Sequence, residues 1–292
     1  MQSVKENLIR LHHAPQVTRP LLRKMFQIDP QLQFPFTSTP EQISRQLSIP
    51  LSRATSILHH IHDTNIMRKL DNHLQKYECI TLMDNLYPPL LKAIPDPPFV
   101  LYMTGNTQLL TNSLALSVVG TRTPSSYSLP AMKSILIPLI HFGFTLVSGM
   151  AKGIDQYAHH LASRNNGTTI AVLGSGFDHI YPTNDIALYQ YLSEKQLVIS
   201  EYPPDRKAEK YHFPERNRII SGLTGATFVV EARLRSGSLI TVDQALEQGR
   251  DVYAMPGLAG KATSEGCHKI INQGAKLVHN YKDILEDWLE KI

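Results

Sequence analysis

Only two cysteines, Cys79 and Cys267, occur in 292 residues, and they form no CxxC pair. That excludes a disulfide framework and a cysteine zinc site, and it suits the reducing cytoplasm. Long apolar runs are also missing: none approaches the roughly 18 residues that a membrane-crossing helix needs. The opening MQSVKENLIRLHH lacks the apolar core of a signal peptide. Neither an internal repeat nor a low-complexity tract is present. Catalytic signatures are absent too. There is no P-loop, no HExxH and no GxSxG, so no reaction mechanism is specified. Charged residues make up 18% and hydrophobic residues 42%, the balance of an ordinary water-soluble globular protein. The net charge of +4 is small but uneven, with +5 in residues 1–76 and −1 in the remainder. An anion site in the larger part must therefore be built locally rather than by a general positive field.

What is present divides in three. Residues 1–76 show helical periodicity and no strand pattern. Thr39-Pro40-Glu41-Gln42 is a capping box with proline at the first helical position. Pro50 opens another helix, with Ile57, Leu58 and Ile61 on one face, and an earlier helix is expected over Arg19 to Phe26. Residues 77–110 are proline-rich, with short strands at CITLMD and FVLYM; they read as a connector packing on the main domain. Residues 111–292 alternate strands and helices. The strands are LALSVV, FTLVS, TIAVLG, LVISE, ATFVVEA, DVYAM and AKLVH. Short, continuously apolar strands with helical crossovers predict a doubly wound, mostly parallel α/β sheet of Rossmann type, covered on both faces. Pro138 lies inside the first of these helices and predicts a kink or an early break.

The most informative stretch runs from Leu114 to Gly149 and on to Asp155: SVVGTRTPSSYS, a helical run, then TLVSGMAKGID. It reads twice over as strand, glycine turn, helix. Two clusters of backbone N–H groups then meet at the carboxyl ends of adjacent parallel strands, a place that binds phosphate. Gly120, Thr121 and Arg122 belong to the first turn; Ser148, Gly149 and Lys152 belong to the second. GSGFDHIYPTN adds Gly174, Gly176, Phe177 and Tyr181 after the third strand. It departs from GxGxxG at His179, so a plain tight turn is an equal reading, and its aromatics can stack on bases or simply pack. Asn184 is expected to cap the following helix.

EYPPDRKAEKYHFPERNRIISGL interleaves cations with aromatic faces; Phe213, Arg216, Asn217 and Arg218 lie at its helical end. That mixture suits single-stranded nucleic acid, whose phosphates need charge and whose unstacked bases need π surfaces; the alternative is a solvated basic loop. In EARLRSGSLIT, Ser236, Gly237 and Ser238 open a helix and offer hydroxyl and N–H groups to a phosphate, or serve as an ordinary cap. No recognition helix suited to a major groove is read in the chain. His59, His60, His62 and Asp63 read as a wet helical face rather than a metal site, and Asp155 and His159 as a helix surface or cap.

Taken in order, VVGTRTPSSYS, VSGMAKGIDQYAH, TIAVLGSGFDHIYPTN, SEYPP, FPERNRIISGLTGATFVVEARLRSGSLITVDQAL, VYAMPG and SEGCHKIINQGAKLV closely resemble the DNA-processing protein A (DprA/Smf) family. The DNLYPPLL and IPDPPFVLYMTG segments extend the resemblance to about residue 80, and the amino-terminal helices resemble the SAM-like domain of some members. The resemblance implies an extended Rossmann domain that binds single-stranded DNA in natural transformation. It further implies protection of incoming strands, loading of the RecA recombinase, a homodimer, no cofactor and no enzymatic activity. Arg122, Ser148, Gly149, Gly174, Gly176, Arg216, Asn217 and Arg218 carry over as the DNA pocket. The resemblance also places dimerisation in SEGCHKIINQGAKLV, where Ile270 and Ile271 point about 100° apart on a helix, so His268, Ile271 and Leu277 are read as the interface; the alternative is that both isoleucines are core. Arg122 and Arg218 are expected to matter alike for binding, and Lys291 not at all. Ser128 stands where the family pattern has glycine. The end at Ile292 leaves no room for the winged helix of longer members. A rival reading is a nucleotide-processing Rossmann enzyme of the lysine-decarboxylase-like kind, whose PGGxGT motif is missing here.

Overall fold

The structure, a computed structural model, describes residues 3–290, so Lys291 lies outside the described residues. The chain forms two compact units, residues 1–87 with 98–102, and residues 88–97 with 103–292; the segment 77–110 is shared between them.

The smaller unit contains α1 (Val4–His13), α2 (Arg19–Ile28), α3 (Phe34–Thr37), α4 (Pro40–Leu47), α5 (Leu51–His62) and α6 (Thr64–Lys76), followed by β1 (Glu78–Thr81); β2 (Val100–Gly105) begins in this unit and ends in the larger one. Both halves of the Thr39–Gln42 capping box are formed. The carboxylate of Asp63 accepts the backbone N–H groups of Asn65 and Ile66 at 2.8 and 3.0 Å, which starts α6. Leu8, Leu11, Leu22, Met25, Ile43, Ile57 and Ile61 are buried and hold the helices together.

In the larger unit, α7 (Pro89–Lys92) precedes β3 (Ala115–Val119), α8 (Ser128–His141), β4 (Thr145–Gly149), α9 (Ile154–Arg164), β5 (Thr168–Leu173), α10 (Ile186–Lys195) and β6 (Leu197–Ser200). The chain continues through α11 (His212–Gly222), β7 (Ala226–Val229), α12 (Gly237–Glu247), β8 (Asp251–Ala254), α13 (Glu265–Asn272), β9 (Lys276–Leu277) and α14 (Lys282–Leu289). From β6 onward the strand order is β6-β5-β4-β3-β7-β8-β9, and every neighbouring pair is parallel. The chain therefore winds outward from β3 to β6, then returns to β7 on the other side of β3. Ligands bind outside the carboxyl ends of strands at such a reversal.

The alternating faces of β3 show how the sheet is covered. Leu116 and Val118 join Met132, Leu136, Ile154, Phe144 and Trp288 in one core beneath α8, α9 and α14. Ser117 points the other way and donates its hydroxyl to the Ile220 carbonyl of α11 at 2.7 Å. Two expectations change. AKLVH shrinks to the two-residue β9, whose residues are both exposed because nothing pairs with its outer edge among the described residues. Pro138 does not break α8 early: it lies in the last turn, and the helix runs to His141.

Candidate nucleic-acid interface

The segments that leave β3, β4, β5, β6 and β7 enclose a cleft of about 680 Å³ at the reversal point. Its walls carry Arg122, Lys210, Arg216, Arg233 and Arg235 against one carboxylate, Asp155. A lobe of about 270 Å³ continues past Arg122 and Arg216 to Lys152, Gly174 and Asn184. Tyr181 and Phe213 border both spaces, with ring centroids 5.3 Å apart. A unit of almost no net charge thus gathers its cations where two fans of crossovers part.

The residues expected from the sequence fall into two groups. Gly120, Thr121, Arg122, Lys152, Gly174, Tyr181, Phe213, Arg216, Asn217, Ser236, Gly237 and Ser238 line the cleft or its lobe. Ser148, Gly149, Gly176, Phe177 and Arg218 do not; they build the walls from behind. Ser148 is fully buried and donates to the Val118 carbonyl at 2.6 Å. A Cβ at Gly149 would run into the Arg216 guanidinium, and one at Gly176 into the backbone of Pro203 and Pro204, so both glycines are set by close approach. Phe177 is a core side chain.

Arg218 is 6% exposed. Its guanidinium donates to a Glu201 carboxylate oxygen at 2.7 Å, to the Asp96 carbonyl at 2.8 Å and to the Glu215 carbonyl at 2.9 Å. Burial opposes its charge, but Glu201 and Asp96 outweigh that and raise its pKa above the ordinary arginine value. Each of its three nitrogens donates within the protein.

The backbone donors of the two glycine turns are also largely spent inside. Thr121 N–H donates to the Glu231 carbonyl at 2.8 Å, and Ser125 N–H to the Glu231 carboxylate at 2.8 Å. Asp155 is bonded by backbone groups of Ala151 and Gly149 in the second turn. This corrects the expectation that Asp155 and His159 sit on a helix surface, since both are buried. Burial lifts the Asp155 carboxyl to about 6, with Arg216 and Arg122 pulling the other way. Burial lowers His159 to about 4, so its imidazole is neutral near pH 7 and bridges Gly149 and Thr169. Side chains therefore supply much of the attraction for an anion. Arg216, buried and anchored on the Val172 carbonyl, keeps an Nε with no hydrogen-bond partner among the described residues.

Sequence reasoning left Lys210, Arg233 and Arg235 out of the site. The Arg-Leu-Arg directly ahead of the Ser-Gly-Ser helix start was the available signal. Asn184 does not cap the next helix: Asp185 accepts Leu188 N–H at 3.1 Å, while Asn184 pairs with Gln156. Ser128, in place of the expected glycine, is buried and bonds its hydroxyl to the Ser125 carbonyl at 3.1 Å, so the turn closes with serine.

A family model for DNA recombination-mediator protein A matches residues 78–289. The chain belongs to this family. It is 41% identical over 217 residues to DNA processing protein DprA of Bacillus subtilis, covering 74% of this chain and 73% of that one. It is 42% identical over 219 residues to DprA of Streptococcus pneumoniae, covering 75% and 77%. The X-ray structure of DprA from S. pneumoniae superposes with a TM-score of 0.85 at 34% identity, covering 98% of each chain. DNA processing protein A from Helicobacter pylori, whose structure was determined for its single-stranded DNA binding mode, gives a TM-score of 0.66 at 28% identity, covering 74% of this chain and 97% of that one. No described helix of this family member is long and apolar enough to cross a membrane.

Proposed function

We infer that the protein is a cytoplasmic, non-enzymatic mediator that holds single-stranded DNA in the cleft, protects it during natural transformation and helps load the RecA recombinase onto it as a homodimer. The observation that carries this reading is the pairing of five arginine and lysine side chains with the Tyr181–Phe213 aromatic border in one cleft. Phosphates need the former and unstacked bases the latter. Single-strand binding by the H. pylori relative supports it.

The test is direct. Fluorescence anisotropy should show tighter binding to oligothymidine than to duplex of equal length, without strong sequence preference. Affinity should fall with salt, with a slope of about 0.7 per phosphate neutralised. Arg122, exposed on the cleft wall, is the side chain to remove. Arg122→Ala should weaken oligothymidine binding at least about tenfold, roughly 1.4 kcal/mol. Lys195→Ala should change nothing, because Lys195 is exposed at the last turn of α10, just before the amino end of β6. Equal oligothymidine binding by the two variants rejects the site.

A further inference from the structure

We propose that α4 and α5 of the smaller unit form a helix-turn-helix that docks in the major groove of duplex DNA, separate from the single-strand cleft. This inference does not rest on the function proposed for the cleft. It reverses the reading that the chain has no recognition helix, and it comes from the register of buried positions.

The eight residues of α4 and the twelve of α5 are joined by three residues, Ser48, Ile49 and Pro50. The first of them, Ser48, has φ 55° and ψ 49°, the left-handed conformation that turns the chain sharply where glycine is commoner. The Ser44 hydroxyl donates across the turn to the Ile49 carbonyl at 2.7 Å, and Lys24 donates to the Leu47 carbonyl at 2.7 Å. The turn is fixed from both sides. Ile43 and Leu47 of α4 and Ala54 and Ile57 of α5 are buried between the helices, and Ala54, with nothing beyond Cβ, allows close approach.

That seam fixes which face of α5 is left outward. Ser52, Thr55, Ser56 and His59 are all exposed, spaced at three and four residues along one side. None of them is acidic or large. Short hydroxyl side chains and an imidazole are groups that reach base edges and phosphates, and the amino-terminal turns of a recognition helix are where such contacts are made. Charge fits the same partner: residues 1–76 carry a net charge of +5, although Lys24 and Arg53 donate to the Leu47 and Gln16 carbonyls and the Asp63 carboxylate lies 4.0 Å from His59. The Asp29 carboxylate is occupied by the backbone N–H groups of Gln31, Gln33 and Phe34. Arg45, exposed on α4, is placed on the helix that crosses the phosphate backbone in this motif.

The experiment uses the full chain and two fluorescent probes, a 24-base-pair duplex of mixed sequence and a 24-residue oligothymidine. Thr55→Glu with Ser56→Glu should weaken duplex binding at least tenfold and leave oligothymidine binding within twofold. Ser56→Arg should tighten duplex binding severalfold without affecting oligothymidine. The proposal is overturned if the wild type binds no duplex, if the glutamate pair leaves duplex binding unchanged, or if it lowers both affinities together. Failure of the cleft reading shows separately, as unchanged oligothymidine binding by Arg122→Ala.

Discussion

Arg218→Ala is expected to lower the unfolding free energy by about 3–5 kcal/mol, because it removes the guanidinium that pairs with a buried carboxylate. Glu201 is 3% exposed, and its 2.7 Å bond to Arg218 is the shortest contact of that guanidinium. The same change releases the Asp96 and Glu215 carbonyls, two further acceptors that lose a charged donor. Urea denaturation followed by circular dichroism measures the loss. Glu201→Gln should cost less, since an amide oxygen still accepts from the guanidinium. Double replacement by Arg218→Met and Glu201→Leu should recover part of the stability, because apolar groups of similar volume leave no unpaired charge. A fully stable Arg218→Ala that nevertheless loses single-strand binding would return Arg218 to the DNA-contacting set.

The contrast between Arg122 and Arg218 shows what the sequence could and could not tell. Both stand in cation-bearing motifs that suit a phosphate ligand. Arg122 follows a strand and a glycine, so its position beyond the carboxyl edge of the sheet was legible from the strand–turn–helix order alone. Arg216, Asn217 and Arg218 are consecutive on α11, so their side chains fan out by about 100° each. Which of the three faces the cleft depends on how α11 rolls against β4 and β5, and no local pattern encodes that roll. Glu201 and Asp96, the partners that claim Arg218, lie 17 and 122 residues away in sequence.

The parallel sheet was legible for a different reason: strands buried on both faces are continuous apolar words, and β3 through β8 are nearly all buried. AKLVH has the same composition, but it falls at the edge, where pairing ends after two residues. Asp155 and His159 share an (i, i+4) helical spacing that fits solvent or interior equally well. Their burial follows from Thr169, Gly149 and Ala151 converging on them from neighbouring strands and the intervening turn. The helix-turn-helix register was hidden likewise, because the seam became visible only once Ser48 and Ala54 were placed.

The second large effect concerns assembly. Ile271→Glu is expected to turn a dimer into a folded monomer at micromolar concentration, weakening association at least about 100-fold, roughly 2.7 kcal/mol. Ile270 and Ile271 point about 100° apart on α13. Ile270 is 6% exposed and packs inward, while Ile271 is only half-buried. Leu277 of β9, 43% exposed, lies beside β8 on a strand whose outer edge has no neighbour among the described residues. An apolar side chain on an open parallel edge is a surface that a second copy can cover, and a two-fold axis presents each substitution twice. His268 is the weakest of the three proposed contacts, since its Nε2 already lies 3.1 Å from the Gly257 carbonyl. Sedimentation equilibrium of Ile271→Glu and Leu277→Glu beside the wild type provides the measurement. Both variants should keep oligothymidine affinity for strands short enough to fill one cleft. Both should lose roughly tenfold or more on strands long enough to span two, because the second cleft adds avidity without new contacts. A wild type that is monomeric, or variants that remain dimeric, would remove α13 and β9 from the interface. An equal loss on short and long strands would mean instead that the substitutions reach the cleft itself.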